Sequence, residues 1–291
     1  MTAEISLPGL HLAFAPEHWT KPGLFLAFVG PPFRVSRQLN DAVRSCVEHI
    51  RKFQTLATLV ADLQPTLALD RDELERDGHT QAHRSRQFTA LIEVMFCELY
   101  STLDGVRYTV LALYRKCRGV QERSTSKLFS RAAARDYGPE FPEEIRLVLA
   151  AAHESWFPEL RRLRTAFTHG GLGSCMLSQD RHSISYMNPS LGDEATAHVI
   201  PDIVSHLNHL ASATFAIVDA VFSYLYGRLE PEPKPHLCGV YKHRMYMREV
   251  TAELNLSQAS GRCMSRSWFD SDPDHRCPVA DRCQAYARSA A

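Results

Sequence analysis

An arginine and a histidine separated by four residues lie in the stretch Glu159–Gly171, which reads ELRRLRTAFTHGG. The apolar spacing predicts the last turns of a helix, and the glycine pair after the histidine lets the chain leave helical geometry. An imidazole can take a proton from a ribose 2'-hydroxyl or give one to the leaving 5'-oxygen. A guanidinium can hold the phosphate and stabilise the charge that builds on it. Arg164 and His169 could therefore cleave RNA without a metal ion.

The same pair also has an ordinary structural interpretation. An arginine on the last turns of a helix interacts favourably with the helix dipole, and a histidine there can cap the free carbonyls. The neighbouring Arg161 and Arg162 fit a solvated basic face, which could also follow RNA phosphates. Both interpretations of the pair stay open at this level.

The elements that must position these residues are long helices. Apolar residues recur at helical spacing in four segments: 36–63, 81–117, 142–167 and 197–229. Ser36 is placed as a cap, Pro65 as a stop, and Pro158 must bend or restart the third helix. We expect an all-α chain whose segments pack as an antiparallel four- to five-helix bundle.

Shorter features surround these helices. Lys127–Arg135 is a predicted short helix, and the charged stretch Asp70–Gly78 is a predicted connector. Residues 174–177 and 182–187 alternate like a small β-hairpin inserted into the bundle.

The predicted domains follow from changes in composition. Residues 1–35 carry two short apolar runs, Leu10–Phe14 and Gly23–Val29, and we interpret them as an N-terminal extended arm or a small strand pair. The helical domain covers 36–229. The Pro-rich segment 230–235 is a stiff linker, and 236–291 is a mostly irregular, cysteine-rich tail.

The segment Arg164–Gly170, closing the third helix of a predicted bundle and followed by another long helix, resembles the R-x(4-6)-H signature of the HEPN superfamily. The resemblance covers residues 36–229 in helix order, whereas only the six-residue motif is specific. It implies an all-α bundle that dimerises so that two motifs form one cleft. It also implies a metal-independent endoribonuclease of toxin-antitoxin or phage-defence systems, or a relative that has lost catalysis and only binds partners.

The resemblance also assigns roles to neighbouring residues. Family motifs usually carry Asn, Asp or another polar residue directly after the arginine, and this chain has Thr165 there, which keeps a hydroxyl but no amide or carboxylate. A polar residue on an earlier helix often faces the motif. Glu98, at the edge of the apolar stripe of its helix, fits that description, with Ser101 as a second choice.

The tail holds four of the eight cysteines, Cys238, Cys263, Cys277 and Cys283, with His275 close to the third. Four thiolates in a segment with few aliphatic residues could fold around a metal, zinc by default. The irregular spacing and the Cys-Pro step also occur at iron-sulfur sites, and four scattered reduced thiols are the alternative. The other four cysteines fit small buried hydrophobic positions.

Composition sets broad limits on function. The net charge is zero, so any contact with RNA must come from local basic patches. We find no export signal and no long uninterrupted apolar run, and we expect a cytoplasmic protein without a membrane partner. Motifs of nucleotide hydrolases, esterases and metalloproteases are not found in the sequence.

Two hypotheses follow. The first is a homodimeric endoribonuclease that needs no cofactor for catalysis, in which His169 is the general acid or base, Arg164 holds the phosphate, and Thr165 and Glu98 orient them. Its partners would be RNA and an antitoxin or defence protein. The second is an inactive HEPN-like module that binds a protein or nucleic acid.

Overall fold

The computed structural model describes residues 10–11, 20–120, 124–179, 181–192, 198–230, 232–242, 244–250 and 261–289. Within these ranges the chain is mostly helical and also forms two small antiparallel sheets. It divides into two compact units. The helical unit is Ser36–Tyr224, and the second unit contains the described residues up to Val35 and from Leu225 onward.

The elements are numbered in chain order. The helices are α1 (Lys21–Phe28), α2 (Arg37–Leu63), α3 (Leu67–Asp77), α4 (His83–Tyr114), α5 (Thr125–Ala133), α6 (Glu143–Glu154), α7 (Phe157–His169), α8 (Ile203–Tyr226), α9 (Arg266–Ser271) and α10 (Gln284–Arg288). The strands are β1 (Leu10–His11), β2 (Ser174–Leu177), β3 (Ile184–Asn188), β4 (His198–Ile200), β5 (Lys234–Tyr241), β6 (Arg244–Val250) and β7 (Arg262–Cys263).

Helices α2 and α4 form the centre of the helical unit. The Ser36 hydroxyl caps α2 by accepting a hydrogen bond from the Leu39 amide at 3.1 Å, as the sequence predicted. The two helices pack along much of their length, and Gly105 of α4 lets them approach closely. A Cβ at that position would lie 2.8 Å from Cys46 Cβ and 2.9 Å from Cys46 Cα. The long helices on which the rest of the unit packs are therefore confirmed.

The connections between the long helices differ from the prediction at two places. The stretch predicted as a charged connector is helix α3, which follows a short 3-10 turn at Gln64–Thr66 and ends at Gly78, where φ is +72°. Leu67 and Asp70 of α3 are buried, so one face of this charged helix packs on the unit. The predicted third helix is two helices, α6 and α7, and Pro158 lies in the first turn of the second, as a restart requires.

The predicted hairpin is confirmed and has a third strand. Strand β2 pairs with β3 in antiparallel register, from Ser174 opposite Met187 to Leu177 opposite Ile184. Strand β4 then adds to the other edge of β3. Strand β4 lies in a segment that the sequence analysis assigned to the start of the last helix, which begins only at Ile203. Only the predicted start of the last helix was therefore wrong, because the apolar face of α8 is as predicted.

Helix α8 is long and apolar enough to cross a membrane by length and composition alone. Half of its most apolar stretch is buried inside the protein, as in a core helix. Its apolar face includes Leu207, Leu210, Val218 and Val221, all of them at most 2% exposed. This face packs into the interior of the protein.

The second unit contains more regular structure than the sequence predicted. Its sheet has the order β1-β5-β6-β7, and β5 and β6 form a hairpin whose first strand begins inside the predicted linker. The prediction of a mostly irregular tail is therefore wrong for this hairpin. Gly23–Val29, predicted as a strand, is mostly helix α1, capped by the Thr20 hydroxyl. Most of the other N-terminal run, Leu10–Phe14, lies outside the described residues, and only its first two residues are seen as β1.

Candidate functional site

The Arg-His motif lies on the last turns of α7. Phe157, Leu160 and Leu163 bury one face of this helix, which packs against α4. Because these apolar anchors lie in the first two turns, the later turns carry the polar residues toward the surface. The helix ends at His169, as the sequence predicted.

Arg164 is half-buried against α4. Its guanidinium carbon lies 5.2 Å from the centre of the Tyr100 ring, a cation–π contact that fixes the side chain without neutralising it. Within the described ranges, Arg164 forms no ion pair with a carboxylate. Its charge is therefore available to an anion.

His169 is the last residue of α7, and its side chain is exposed. The imidazole makes no hydrogen bond or ion pair with any residue that the structure describes. Neither ring nitrogen is thus used to cap the helix, in contrast to the structural interpretation of this histidine. Instead the Gly170 amide closes the helix with a 2.7 Å hydrogen bond to the Ala166 carbonyl.

The glycines after the histidine serve close packing. Gly170 has φ of −94° and ψ of −178°, an extended conformation that any residue can adopt. A Cβ there would lie 2.5 Å from Ser190 Oγ and 2.6 Å from the Ala166 carbonyl oxygen. Gly171 has open space around it. The physical reason for glycine at 170 is therefore room, not the backbone freedom that the sequence suggested.

A buried polar network holds the segment that follows the motif. Glu93 of α4 accepts a 2.8 Å hydrogen bond from the Gly173 amide and a 2.7 Å bond from the Tyr186 hydroxyl. Asn188 donates to the Tyr186 oxygen at 2.8 Å and to the Gly171 carbonyl at 3.2 Å. Burial, with the hydrogen bond to Glu93 next, raises the pKa of Tyr186 well above its usual range.

Sequence reasoning did not find this network, because its members come from α4, the glycine segment and β3. One signal was present: a glutamate between Ile92 and Met95, in the apolar stripe of a helix, requires a partner. The side chains fix where the chain goes after α7, and so fix the surroundings of His169.

Thr165 and Thr168 use their hydroxyls within the helix. Thr165 donates to the Arg161 carbonyl at 2.9 Å, and Thr168 donates to the Arg164 carbonyl at 2.7 Å. Cys97 of α4 lies 4.0 Å from the Thr168 oxygen. The Thr165 proton is thus directed at the backbone, although its oxygen can still accept a hydrogen bond.

Glu98 has a partner that the sequence did not reveal. Its Oε2 lies 2.5 Å from Nδ1 of His49 on α2, and both side chains are mostly buried. Ser101, the second choice, is half-buried one turn further along α4. Among the described residues Glu98 forms its side-chain hydrogen bond with His49 and none with Arg164 or His169. Its role at the motif stays a prediction.

The two arginines predicted to contact RNA differ in their surroundings. Arg161 is exposed, whereas Arg162 forms 3.1 Å and 3.0 Å hydrogen bonds with Glu159 and donates to the Leu191 carbonyl at 2.9 Å. The nearby imidazole of His206, followed by Arg162, lowers the pKa of Glu159 to about 2. His206 Nε2 is 3.6 Å from the carboxylate, which is an ion-pair distance and too long for a hydrogen bond. Arg162 therefore has a structural role, and Arg161 is the freer of the two.

The cysteines of the helical unit behave as packed side chains. Cys46, Cys117 and Cys175 are buried, and burial raises the pKa of Cys46 and of Cys175 to about 12. Cys97 is only half-buried, and burial also raises its pKa.

The four tail cysteines lie around one small cavity in the second unit, and none of them is in a disulfide. Among the described residues, no group of three or more His, Cys, Asp or Glu side chains is arranged to hold a single metal ion. His275 cannot be assigned, since its side chain lies outside the described residues. The sequence therefore identified four thiols that the fold brings together.

Comparisons with protein-family models, with curated protein sequences and with solved structures give no match.

Proposed function

We propose that the chain is a metal-independent endoribonuclease of the HEPN type. The observation that carries the proposal is the state of two side chains on α7: Arg164 has no counter-charge, and His169 is exposed with no hydrogen-bond partner among the described residues. A half-buried guanidinium, without a carboxylate partner in the described part of the chain, and an exposed imidazole lie on the last turns of the same helix. Both groups are therefore accessible to a ligand.

The chemistry follows from the two groups. Arg164 would bind the scissile phosphate and offset the charge that develops as the ribose 2'-oxygen attacks phosphorus. His169 would take the 2'-hydroxyl proton or protonate the leaving 5'-oxygen. The products would be a cyclic 2',3'-phosphate and a free 5'-hydroxyl. Arg161 would contact a neighbouring phosphate, and Arg162 would support the helix and reach RNA only at its edge.

A homodimer would complete the site. Cleavage needs both an acid and a base, and a single chain presents one unpartnered imidazole at the end of α7. The four- to five-helix bundle that we propose for α2, α4, α6–α7 and α8 would pair with a second copy, and the two His169 side chains would share one cleft. Thr165 and Glu98 would orient the site in this arrangement, Glu98 through its contact with His49.

The test is cleavage of a short single-stranded RNA by the full chain in the presence of EDTA. His169→Ala is expected to lower the rate about 100-fold or more, and Arg164→Ala about 100- to 1,000-fold. His79→Ala is the matched control, because His79 is also an exposed histidine just after a helix of the same unit. An RNA with a 2'-deoxy substitution at the cleaved bond should stay intact.

Two results would reject the nuclease. The first is no cleavage by the parent protein under conditions where it is folded and dimeric. The second is a His169→Ala protein that cleaves as fast as the parent. Mass spectrometry of the products tests for the cyclic 2',3'-phosphate. Sedimentation of the protein tests for the dimer.

The second candidate function is an inactive HEPN-like module that binds a protein or nucleic acid. It is favoured by the Thr165 hydroxyl proton, which is used inside the helix, and by the lack of any described residue that orients the His169 ring. In that case RNA or protein binding would depend on Arg164, and no RNA would be cut.

The biological setting that we propose is a cytoplasmic toxin-antitoxin or phage-defence system, with an antitoxin or defence protein as a partner. Expression in bacteria tests it: the parent should arrest growth, and His169→Ala should not. Equal growth of the two strains, at equal protein levels, would contradict a toxin role.

A further inference from the structure

The second unit contains a cavity whose walls combine four cysteines with an apolar shell. Cys238 comes from β5, Cys263 from β7, and Cys277 and Cys283 from the loops between α9 and α10. These loops form tight turns: the Ala280 amide donates a 2.9 Å hydrogen bond to the Cys277 carbonyl, and the Cys283 amide donates a 3.2 Å hydrogen bond to the Ala280 carbonyl. Four thiols from separate elements thus meet at one place.

The surroundings of the sulfurs carry the argument further. Arg248 is 6% exposed, and its Nη2 lies 3.4 Å from Cys238 Sγ. N–H donors around cysteine sulfurs are a common feature of metal-bound thiolates, whose charge they stabilise. The Cys238 sulfur therefore has a buried cationic donor beside it, as a metal-bound thiolate would.

The spacing of the cysteines along the chain distinguishes a zinc site from a cluster. Structural zinc sites typically pair their ligands as C-x2-C to C-x4-C. Here five residues lie between Cys277 and Cys283, the nearest pair, and Pro278 follows Cys277. Long, irregular spacings and a Cys-Pro step are features of iron-sulfur sites, so this arrangement favours a cluster.

The shell also suits a cluster. Tyr246, Phe269 and Tyr286 line the same cavity, with ring centres 4.8 Å apart for the first pair and 5.8 Å for the second. Aromatic walls limit the access of water, which helps to preserve a cluster. The buried Arg248 offsets part of the negative charge that four thiolates bring.

We infer that Cys238, Cys263, Cys277 and Cys283 bind an iron-sulfur cluster that holds the second unit together. The cluster would join β5, β7 and the loops around α9 and α10, in a part of the chain with few large aliphatic residues. Its ligands belong to the second unit and the motif on α7 to the helical unit, so this inference does not rest on the proposed ribonuclease.

The test begins with the full chain, purified without oxygen and analysed for iron, zinc and acid-labile sulfide. We expect iron and sulfide in equal amounts, about two or four of each per chain, with visible absorption that dithionite bleaches. Zinc in place of iron, or no metal after reconstitution with ferrous iron and sulfide, would overturn the proposal.

Variants locate the site. Cys277→Ala and Cys283→Ala should lose most of the iron and the visible absorption, whereas Cys97→Ala, a half-buried cysteine of the helical unit, should keep both. The alanine variants could lose iron simply because the second unit fails to fold. Arg248→Lys therefore serves as a further variant, because it keeps all four cysteines and a positive charge near Cys238. This variant should bind iron and shift the reduction potential of the cluster. Iron that stays at the parent level in both alanine variants of the tail would contradict the assignment.

Discussion

Replacing Gly170 by alanine would show whether the chain leaves α7 through a tightly packed position. The ideal Cβ would lie 2.5 Å from Ser190 Oγ, 2.6 Å from the Ala166 carbonyl oxygen and 2.8 Å from Ser190 Cβ. The hydroxyl can rotate away. The carbonyl cannot move far, because it belongs to α7 and accepts the 2.7 Å hydrogen bond from the Gly170 amide.

The expected cost follows from these overlaps. Forcing a methyl group into a packed position costs about 1–3 kcal/mol, and the reduced freedom of the unfolded chain returns about 0.4–1 kcal/mol. The net destabilisation is about 1–2 kcal/mol. In a unit of this size, each kcal/mol lowers Tm by about 2–4 °C. The displaced segment would also shift His169, so the RNA cleavage that we propose should fall in parallel.

Gly171→Ala is the matched control. The next glycine has nothing within 4 Å of its ideal Cβ, and its φ lies outside the positive region. The change should leave stability equal or raise it by up to about 1 kcal/mol. Urea unfolding followed by helical circular dichroism measures both variants.

Equal urea midpoints for Gly170→Ala and Gly171→Ala would contradict tight packing at position 170. A third protein provides an internal check: Ser190→Gly in the Gly170→Ala background removes two of the three close contacts, and it should recover part of the lost stability.

Two further predictions concern stability. Tyr186→Phe removes a donor from buried Glu93 and should cost about 1–3 kcal/mol in urea unfolding, whereas the exposed Tyr108→Phe should stay within about 0.5 kcal/mol of the parent. Glu159→Gln should lower stability by about 1 kcal/mol at neutral pH, after discounting the ion pair for solvent screening. Because the folded pKa of Glu159 is depressed to about 2, its contribution is present above pH 4.5 and is lost as pH falls toward 2. The difference in free energy of unfolding between Glu159→Gln and the parent should therefore disappear between pH 4.5 and pH 2. A difference that does not change with pH would contradict the depressed pKa of Glu159.

The periodic segments of the sequence largely determined the helical unit. Apolar spacing predicted α2, α4 and α8, since a 3.6-residue period marks a buried helical face whatever the face packs against. Apolar spacing did not predict α3, because this charged helix has only two buried residues, Leu67 and Asp70. The same reasoning failed at Gly23–Val29 because a short apolar run suits a strand and a buried helix equally.

The reactive side chains were also identified from the sequence: Arg164 and His169 on one helix end, and four cysteines in the tail. Their surroundings could not be, because these depend on residues distant in sequence. The tertiary structure placed Tyr100 beside Arg164, His49 beside Glu98, and Glu93 and Tyr186 behind the glycine exit. It also gathered the four thiols around one cavity beside Arg248. Local spacing sets the direction of a side chain along its own element, whereas contacts between elements are set by how they pack.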